Sequence, residues 1–484
     1  MMVLSSLEPK ELWKHFGKIL SIPHCSGNEE HLAEYLLSYS MNQKLEANKD
    51  ASGNVVIRVP ATPGHENAPV VVLQGHMDMV GEKNSDVDHD FFKDPISVEL
   101  DGGWVTAKGT TLGADNGIGL AAALALIESE DVVHGPLELL FTVDEEVGLT
   151  GAGKLEPGFL EGKMMLNLDS EELGAVYIGC SGGGDSTITL PFGTVDAPAG
   201  TKGFLLKVSG LKGGHSGIDI HENRGNAIKI LARVLLETLK TQPCHLVGLK
   251  GGSKRNAIPR EAEAELMVLE TGVEEFAEII GGETGKIKEE LGALERDLTI
   301  VIEPAEQPFV KVLDAKSQET VLGLLTDLPH GVEAMSKDIE ELVETSNNLA
   351  TISTGGDGFV IGTSTRSSIA EDLQQLRDKI RSISESAGAA VEEDTPYPGW
   401  KPDLESELLS TVKRVHEREF DKEPELKAIH AGLECGIIGE KFPGMEMVSI
   451  GPWIEHPHSP GERVNVPSVE TFWKLLTAVL AELA

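Results

Sequence analysis

Three short apolar runs, each stopping at a cluster of acids or at a histidine, constrain this chain most. Ala68-Pro-Val-Val-Val-Leu-Gln74 runs into Gly75-His76-Met77-Asp78. Pro136–Val143 runs into Asp144-Glu145-Glu146, and Lys163–Leu168 into Asp169, followed by Glu171 and Glu172. Apolar runs this short, rich in branched side chains, read as buried strands. Between the first two lies Asn116–Glu130, rich in Ala and Leu, which reads as a helix preceded by Gly113-Ala114-Asp115. Strand, helix, strand with near-continuous apolar strands implies an α/β unit around a largely parallel sheet. Ligands of open α/β sheets bind outside the carboxyl ends of the strands. His76, Asp115, Glu145, Glu146 and Asp169 are therefore expected to converge there.

One imidazole with several carboxylates, and no thiol, suits a borderline-hard divalent ion such as Zn, Co or Mn. The set has more donors than one catalytic ion needs. A shared carboxylate could bridge two ions about 3.5–4 Å apart. Each motif alone has an ordinary reading: His-x-Asp as a surface loop, Asp-Glu-Glu as a solvated face, Asp115 as a helix N-cap. Unrelated surface charges, however, would not line up at the same end of three separate strands.

The rest of the chain gives the organisation. Its 484 residues allow two to four domains. Leu12–Leu20 and Glu29–Ser40 have helical spacing. Beyond Gly179–Gly184 come alternating strands, Ser186–Leu190 and Lys202–Val208, with helical runs at Glu222–Lys240 and Val273–Leu291. Thr395–Pro402 holds three prolines and reads as a linker. Helix, strand and helix come next at Leu404–Phe420, Met445–Ile450 and Val469–Leu483. The expected architecture is a discontinuous catalytic domain, 1–185 plus 396–484, interrupted by an α+β insertion at 186–395.

Charge excludes some function classes. Lys plus Arg is 41 and Asp plus Glu is 79, a net −38. Nucleic-acid affinity comes largely from Lys and Arg neutralising phosphates, so neither nucleic acid nor anionic lipid is an expected partner. Cys25, Cys180, Cys244 and Cys435 are scattered without a Cys-x-x-Cys pair, which fits a reduced compartment. Glu8, Lys10 and Glu11 precede any long apolar run, so no secretory signal is expected. The apolar stretch Ile118–Ile127 is far shorter than the roughly 20 residues that span a bilayer. A cytoplasmic protein is expected.

Taken together, Gly75–Asp78, Gly113-Ala-Asp-Asn-Gly117, Asp144-Glu-Glu-Val-Gly148 and Asn167-Leu-Asp-Ser170 resemble the dimetal aminopeptidase-like family of carnosinases, aminoacylases and glutamate carboxypeptidases. His430-Ala-Gly-Leu-Glu-Cys-Gly436 and His456-Pro-His-Ser-Pro460 resemble its Xaa-His dipeptidase branch. The resemblance covers nearly the whole chain. It implies a mixed sheet flanked by helices, a large inserted α+β lid, and two divalent ions, zinc first and cobalt or manganese next. By that analogy Asp115 bridges the ions, His76 and Asp169 complete one site, and Glu146 and His458 complete the other. Asp78 orients the His76 imidazole, and Glu145 is the general base that activates water held between the ions. The family also has a cis peptide at the position of Asp115–Asn116. From the insertion, Gly213-Gly-His-Ser-Gly217 places His215 at the oxyanion. Arg255-Asn-Ala-Ile-Pro259 brings Asn256 to the substrate, and Ser364-Thr-Arg-Ser367 gives Arg366 the free carboxylate. The implied substrate is a small dipeptide, Xaa-His or carnosine-like. A broad dipeptidase, an N-acyl-amino-acid deacylase and a non-catalytic scaffold are the alternatives, and a homodimer is left open.

The tail histidines need a choice. Were His456 and His458 on one strand, their spacing of two would put them on the same face, so alternation would not choose between them; the resemblance favours His458. His430 reads as a structural histidine. Two further motifs are decoys. Gly179-Cys-Ser181-Gly-Gly183 has the form of a nucleophile elbow, but an elbow leads into a helix and here a strand comes next. Gly148–Lys154 has the form of a phosphate loop, but Leu155 stands where Ser or Thr is required.

Overall fold

The computed structural model describes residues 3–306, 309–337, 339, 341–356 and 358–484. They form two compact units, one of residues 1–180, 400–428 and 433–484, the other of 181–399 and 429–432. The expected boundaries at 185/186 and 395/396 differ from these for a physical reason. Strand Gly182–Leu190 pairs with Phe359–Ser367 and Ala390–Glu393, so it belongs to the inserted sheet from its first residue.

The first unit holds an eight-stranded sheet. Its order is Glu46–Lys49, Val55–Val59, Leu137–Thr142, Val71–His76, Met164–Asn167, Glu446–Ser449, Ala175–Cys180, Glu425–Ile429. Val71–His76 runs parallel to both Leu137–Thr142 and Met164–Asn167, and Glu446–Ser449 continues the parallel block. The flanking pairs are antiparallel, so the sheet is mixed. Val71–His76 and Leu137–Thr142 are buried along their whole length, as strands covered on both faces must be. Helix Ala114–Glu128 is apolar nearly all round because it is enclosed, with Lys10–Ile19 packed against it. Glu407–Phe420 and Val466–Leu483 pack together elsewhere in the same unit.

The inserted unit is built on a nine-stranded antiparallel sheet. Its longest strand, Val343–Thr354, and the neighbour Phe359–Ser367 are strands that the apolar pattern of the sequence does not reveal. Its core joins Leu206, Val208 and Leu266 of the sheet to Val234, Phe276, Leu325 and Ile380 of the helices. The helical run expected at Glu222–Lys240 starts only at Ala227. Asn226 caps it, accepting from the N–H groups of Ile228 and Lys229, and Ile220–Glu222 is a separate 3₁₀ turn. Among the described residues no helix is long and apolar enough to cross a membrane.

Candidate active site

In the first unit three parallel strands end side by side, and each end delivers polar side chains to the same place. His76 closes its strand and is buried. Its Nδ1 lies 2.9 Å from the backbone carbonyl of Asp78, so Nδ1 carries the proton and Nε2 offers its lone pair. That Nε2 is 3.0 Å from Asp115 Oδ1 and 3.1 Å from Asp169 Oδ1. The other oxygen of Asp115, Oδ2, is 3.2 Å from Nε2 of His458, which is in turn 3.0 Å from Glu146 Oε1. Asp115 thus spans two imidazoles, one per oxygen, and each imidazole faces a further carboxylate.

Asp115 reaches this position because the helix start is irregular. Asp115 and Asn116 have non-helical backbone angles, and the peptide between them is cis. Gly113 sits at φ 76°, and a Cβ there would lie 2.8 Å from Met79 Sδ, so only glycine fits. Asn116 Nδ2 donates to the Leu168 carbonyl at 2.8 Å, tying the helix start to the strand end that bears Asp169.

The Asp78 carboxylate differs in part from its expected role. It stands 3.5 Å from His76 Nδ1, farther than the Asp78 carbonyl, and accepts from the N–H groups of Glu145 (3.0 Å) and Glu146 (3.2 Å) and from Ser26 Oγ (2.8 Å). It therefore anchors the turn that carries Glu145 and Glu146 as well as facing the imidazole. The tail histidines also differ from expectation. Their strand stops at Glu455, and His456 and His458 lie in a turn with φ of 55° and 57°. Strand alternation does not separate them; turn geometry does, and it brings His458 to Asp115 and Glu146.

The charges in this cluster compete. Burial pushes Asp169 up to about 6 and Glu145 well above the ordinary carboxylate range, with neighbouring carboxylates adding to both. Glu171, on the same loop, is pushed up to about 9 by burial and by Asp115 and Asp169. Burial would raise Asp115 too, but its bonds to His458 and His76 hold it well below the usual range. His458 is raised to about 11 by Asp115 and Glu146. A set this rich in carboxylates needs cations. Asp115, Asp169 and His76 form one group of donor atoms within 4.8 Å of one another; Asp115, Glu146 and His458 form a second, and His76, Glu145 and Glu146 a third. Asp169 Oδ1 and Glu146 Oε1 are buried without a hydrogen-bond partner although an imidazole nitrogen is near each. Imidazole nitrogens and carboxylate oxygens gathered this closely are the donor set that a metal site requires, so the residues fit a pair of divalent ions.

Beneath them runs a polar network that the sequence motifs do not disclose. Gln74 Nε2 and Thr142 Oγ1 donate to Glu434 at 2.6 and 2.7 Å, and Asn167 donates to Gln74 at 2.6 Å. Burial raises Glu434 to about 7. Its only sequence signal is its place in the His430–Gly436 motif.

The inserted unit holds a different cluster. His215 lies on the short pair Gly214–His215 with Ala257–Ile258. Its Nδ1 accepts from the N–H groups of Gly217 (3.2 Å) and Ile218 (3.1 Å), which leaves the proton on Nε2 as a donor. Burial and then the Arg366 charge lower its pKa, keeping the ring neutral. Asn256 is exposed, and its backbone carbonyl accepts from Ser216 N–H at 2.8 Å. Arg366 is 8% exposed, donates to Tyr397 Oη at 2.9 Å, and leaves Nε unpartnered. Among the described residues no carboxylate lies within ion-pair distance of its guanidinium. Gly183 makes room for Tyr397, since a Cβ there would sit 2.5 Å from the phenol oxygen. His430 is buried in this unit, with Nε2 2.7 Å from Ser346 Oγ. Burial and Arg366 push it down to about 3. Ser181 is buried and leads into strand Gly182–Leu190, so it is no nucleophile elbow. Gly148–Lys154 forms only the short helix Thr150–Gly153.

Comparison with known proteins gives this arrangement its class. Residues 72–482 match peptidase family M20/M25/M40, and the chain belongs to that family: it is a metallopeptidase. Among individual proteins, it is 43% identical to the cytosol non-specific dipeptidase of Escherichia coli (strain K12), over 100% of this chain and 99% of that one. The crystal structure of aminoacylhistidine dipeptidase from Vibrio alginolyticus matches with a TM-score of 0.93 and 44% identity, covering 99% of this chain and 98% of that one. Aminopeptidase PepT from Bacillus cereus shares the fold at 16% identity, with a TM-score of 0.56 over 99% of both chains.

Proposed function

We propose that this protein hydrolyses dipeptides, with preference for Xaa-His and carnosine-like substrates. The observation that carries the reading is Asp115, whose two carboxylate oxygens each meet a different imidazole Nε2. When bound, two divalent ions at these groups would supply Lewis acidity and a water of lowered pKa. His76, Asp115 and Asp169 would hold one, and Asp115, Glu146 and His458 the other; zinc is the ion we favour, ahead of cobalt and manganese.

The chain's own side chains do the rest. Glu145, buried and raised above the carboxylate range, takes the proton of the attacking water and passes it to the leaving amine as the C–N bond breaks. Asp78 holds the Glu145 backbone in place for this. His215 donates Nε2–H to the oxygen that gains charge at the scissile carbonyl. Arg366, a buried cation without an acidic partner among the described residues, takes the free carboxylate, as a planar guanidinium suits, and Asn256 contacts the same substrate. The insertion would act as a lid that clamps the substrate. The compartment we infer is the cytoplasm, supported by four buried free cysteines and by the cytosolic relative.

A broader dipeptidase is the second reading, because the relative from Escherichia coli is described as non-specific. A panel of carnosine, other Xaa-His dipeptides, Leu-Gly and acyl-amino acids separates them. Faster turnover of Xaa-His supports the narrow specificity. Equal rates on Leu-Gly move it to the broad one, and equal rates on acyl-amino acids refute a peptide preference.

A further inference from the structure

Glu462 is buried, 2% exposed, and among the described residues no Lys, Arg or His lies within ion-pair distance of it. Its carboxylate instead accepts four consecutive backbone N–H groups. Oε2 takes Leu112 (2.6 Å) and Gly113 (3.0 Å); Oε1 takes Ala114 (2.7 Å) and Asp115 (3.3 Å). Successive N–H groups around a left-handed glycine make a concave anion site. Here the chain's own acid fills it. Glu462 also closes the turn that carries His458, since its N–H donates to the Ser459 carbonyl at 3.0 Å. One carboxylate therefore staples the loop of Asp115 to the turn of His458.

We propose that Glu462 is a positioning residue of the metal centre. Resting on the dimetal reading above, this assigns it the setting of the distance between Asp115 and His458. The staple acts on the group formed by Asp115, Glu146 and His458 more than on the group formed by His76, Asp115 and Asp169. A purely structural cap would instead support the helix start alone.

The test uses the full chain stripped of metal and titrated with Co²⁺ alone, followed by visible absorption and calorimetry. Wild type is expected to take about two equivalents. E462Q keeps the shape but replaces one accepting oxygen by an NH₂ that opposes the cradle. It should bind the second ion about 10–100-fold more weakly, the cost usual for a group that orients a ligand, and the first ion with a smaller loss. H458A should bind the second ion far more weakly, and H458A/E462Q should match H458A for that ion, because residues acting through one another are not additive. If E462Q does not fold, E462D, which keeps the charge on a shorter stem, carries the same expectation. Wild-type binding of both ions by E462Q with only a lowered melting temperature would overturn the proposal. So would a further full loss in the double variant. Failure of wild type to bind Co²⁺ at all would overturn the dimetal reading itself, and the staple with it.

Discussion

The two units carry opposite electrostatic deficits. In the first, Asp115, Glu145, Glu146 and Asp169 crowd one point with two imidazoles, and burial pushes several carboxyls toward the neutral form. In the inserted unit, Arg366 lies buried beside His215 and His430, and among the described residues no carboxylate is within ion-pair distance of it. One region lacks cations and the other lacks an anion. A buried charge left unpaired is costly, so each region states by its deficit what it is built to receive. Under the function proposed above, divalent ions would answer the first, and the carboxylate of a small peptide the second.

Breaking the metal-side unit should give the largest effect. E145Q should lower kcat by about 10²–10⁴-fold, the range for a lost general base, while elemental analysis still finds wild-type metal. Normal turnover in E145Q would remove Glu145 from the reaction. H215N, in the inserted unit, should lower kcat by about 10²–10³-fold with little change in KM, because an oxyanion donor acts mainly in the transition state. R366A should show the reverse split. Losing a charged hydrogen bond of about 1.5–3 kcal/mol raises KM by about 10–100-fold, and the defect should vanish with C-terminally amidated dipeptides. An equal defect on free and amidated substrates would mean that Arg366 does not bind the carboxylate.

Legibility in the sequence divides along the same line. His76, Asp144–Glu146 and Asp169 each sit directly after an apolar run, so local pattern and the strand-end rule suffice to gather them. The tail turn is not readable that way. Strand periodicity says nothing once Glu455 ends the strand and the backbone turns through positive φ. Glu434 and Glu462 are invisible locally because their partners, Gln74 and the 112–115 loop, lie hundreds of residues earlier in the chain. The Arg366 cluster draws on residues 183, 346, 397 and 430, so only the resemblance points to it. The helix expected at Glu222–Lys240 is too long because it begins ahead of its cap, Asn226, through a stretch with no apolar side chain.

The smallest expected effect is on the stability of metal-free protein, and it has opposite signs at the carboxylate cluster of the first unit and at the buried histidines of the inserted one. Asp169 at about 6, Glu434 at about 7 and Glu171 at about 9 stand above their unfolded values. The folded state binds more protons there, so stability present at low pH is lost as pH rises through those values. In the inserted unit His330 and His430 are depressed to about 3, chiefly by burial. Below the unfolded value of about 6.5 the unfolded state binds more protons, so stability is lost as pH falls from 6.5 toward 3. Hydrogen–deuterium exchange, corrected for intrinsic rate, should show protection falling with rising pH around Asp169, Glu171 and Glu434, and with falling pH around His330 and His430. The same slope in both would contradict the assignment of the two deficits.

The most direct measurement joins metal content to activity on one sample. Protein purified without chelator is analysed for metal per chain and then assayed for carnosine and Leu-Gly hydrolysis, before and after chelation and metal return. The account predicts about two equivalents, dipeptide hydrolysis that disappears on chelation, and recovery when a divalent ion is restored. A chain that holds no metal and cleaves neither dipeptide after metal addition would contradict it.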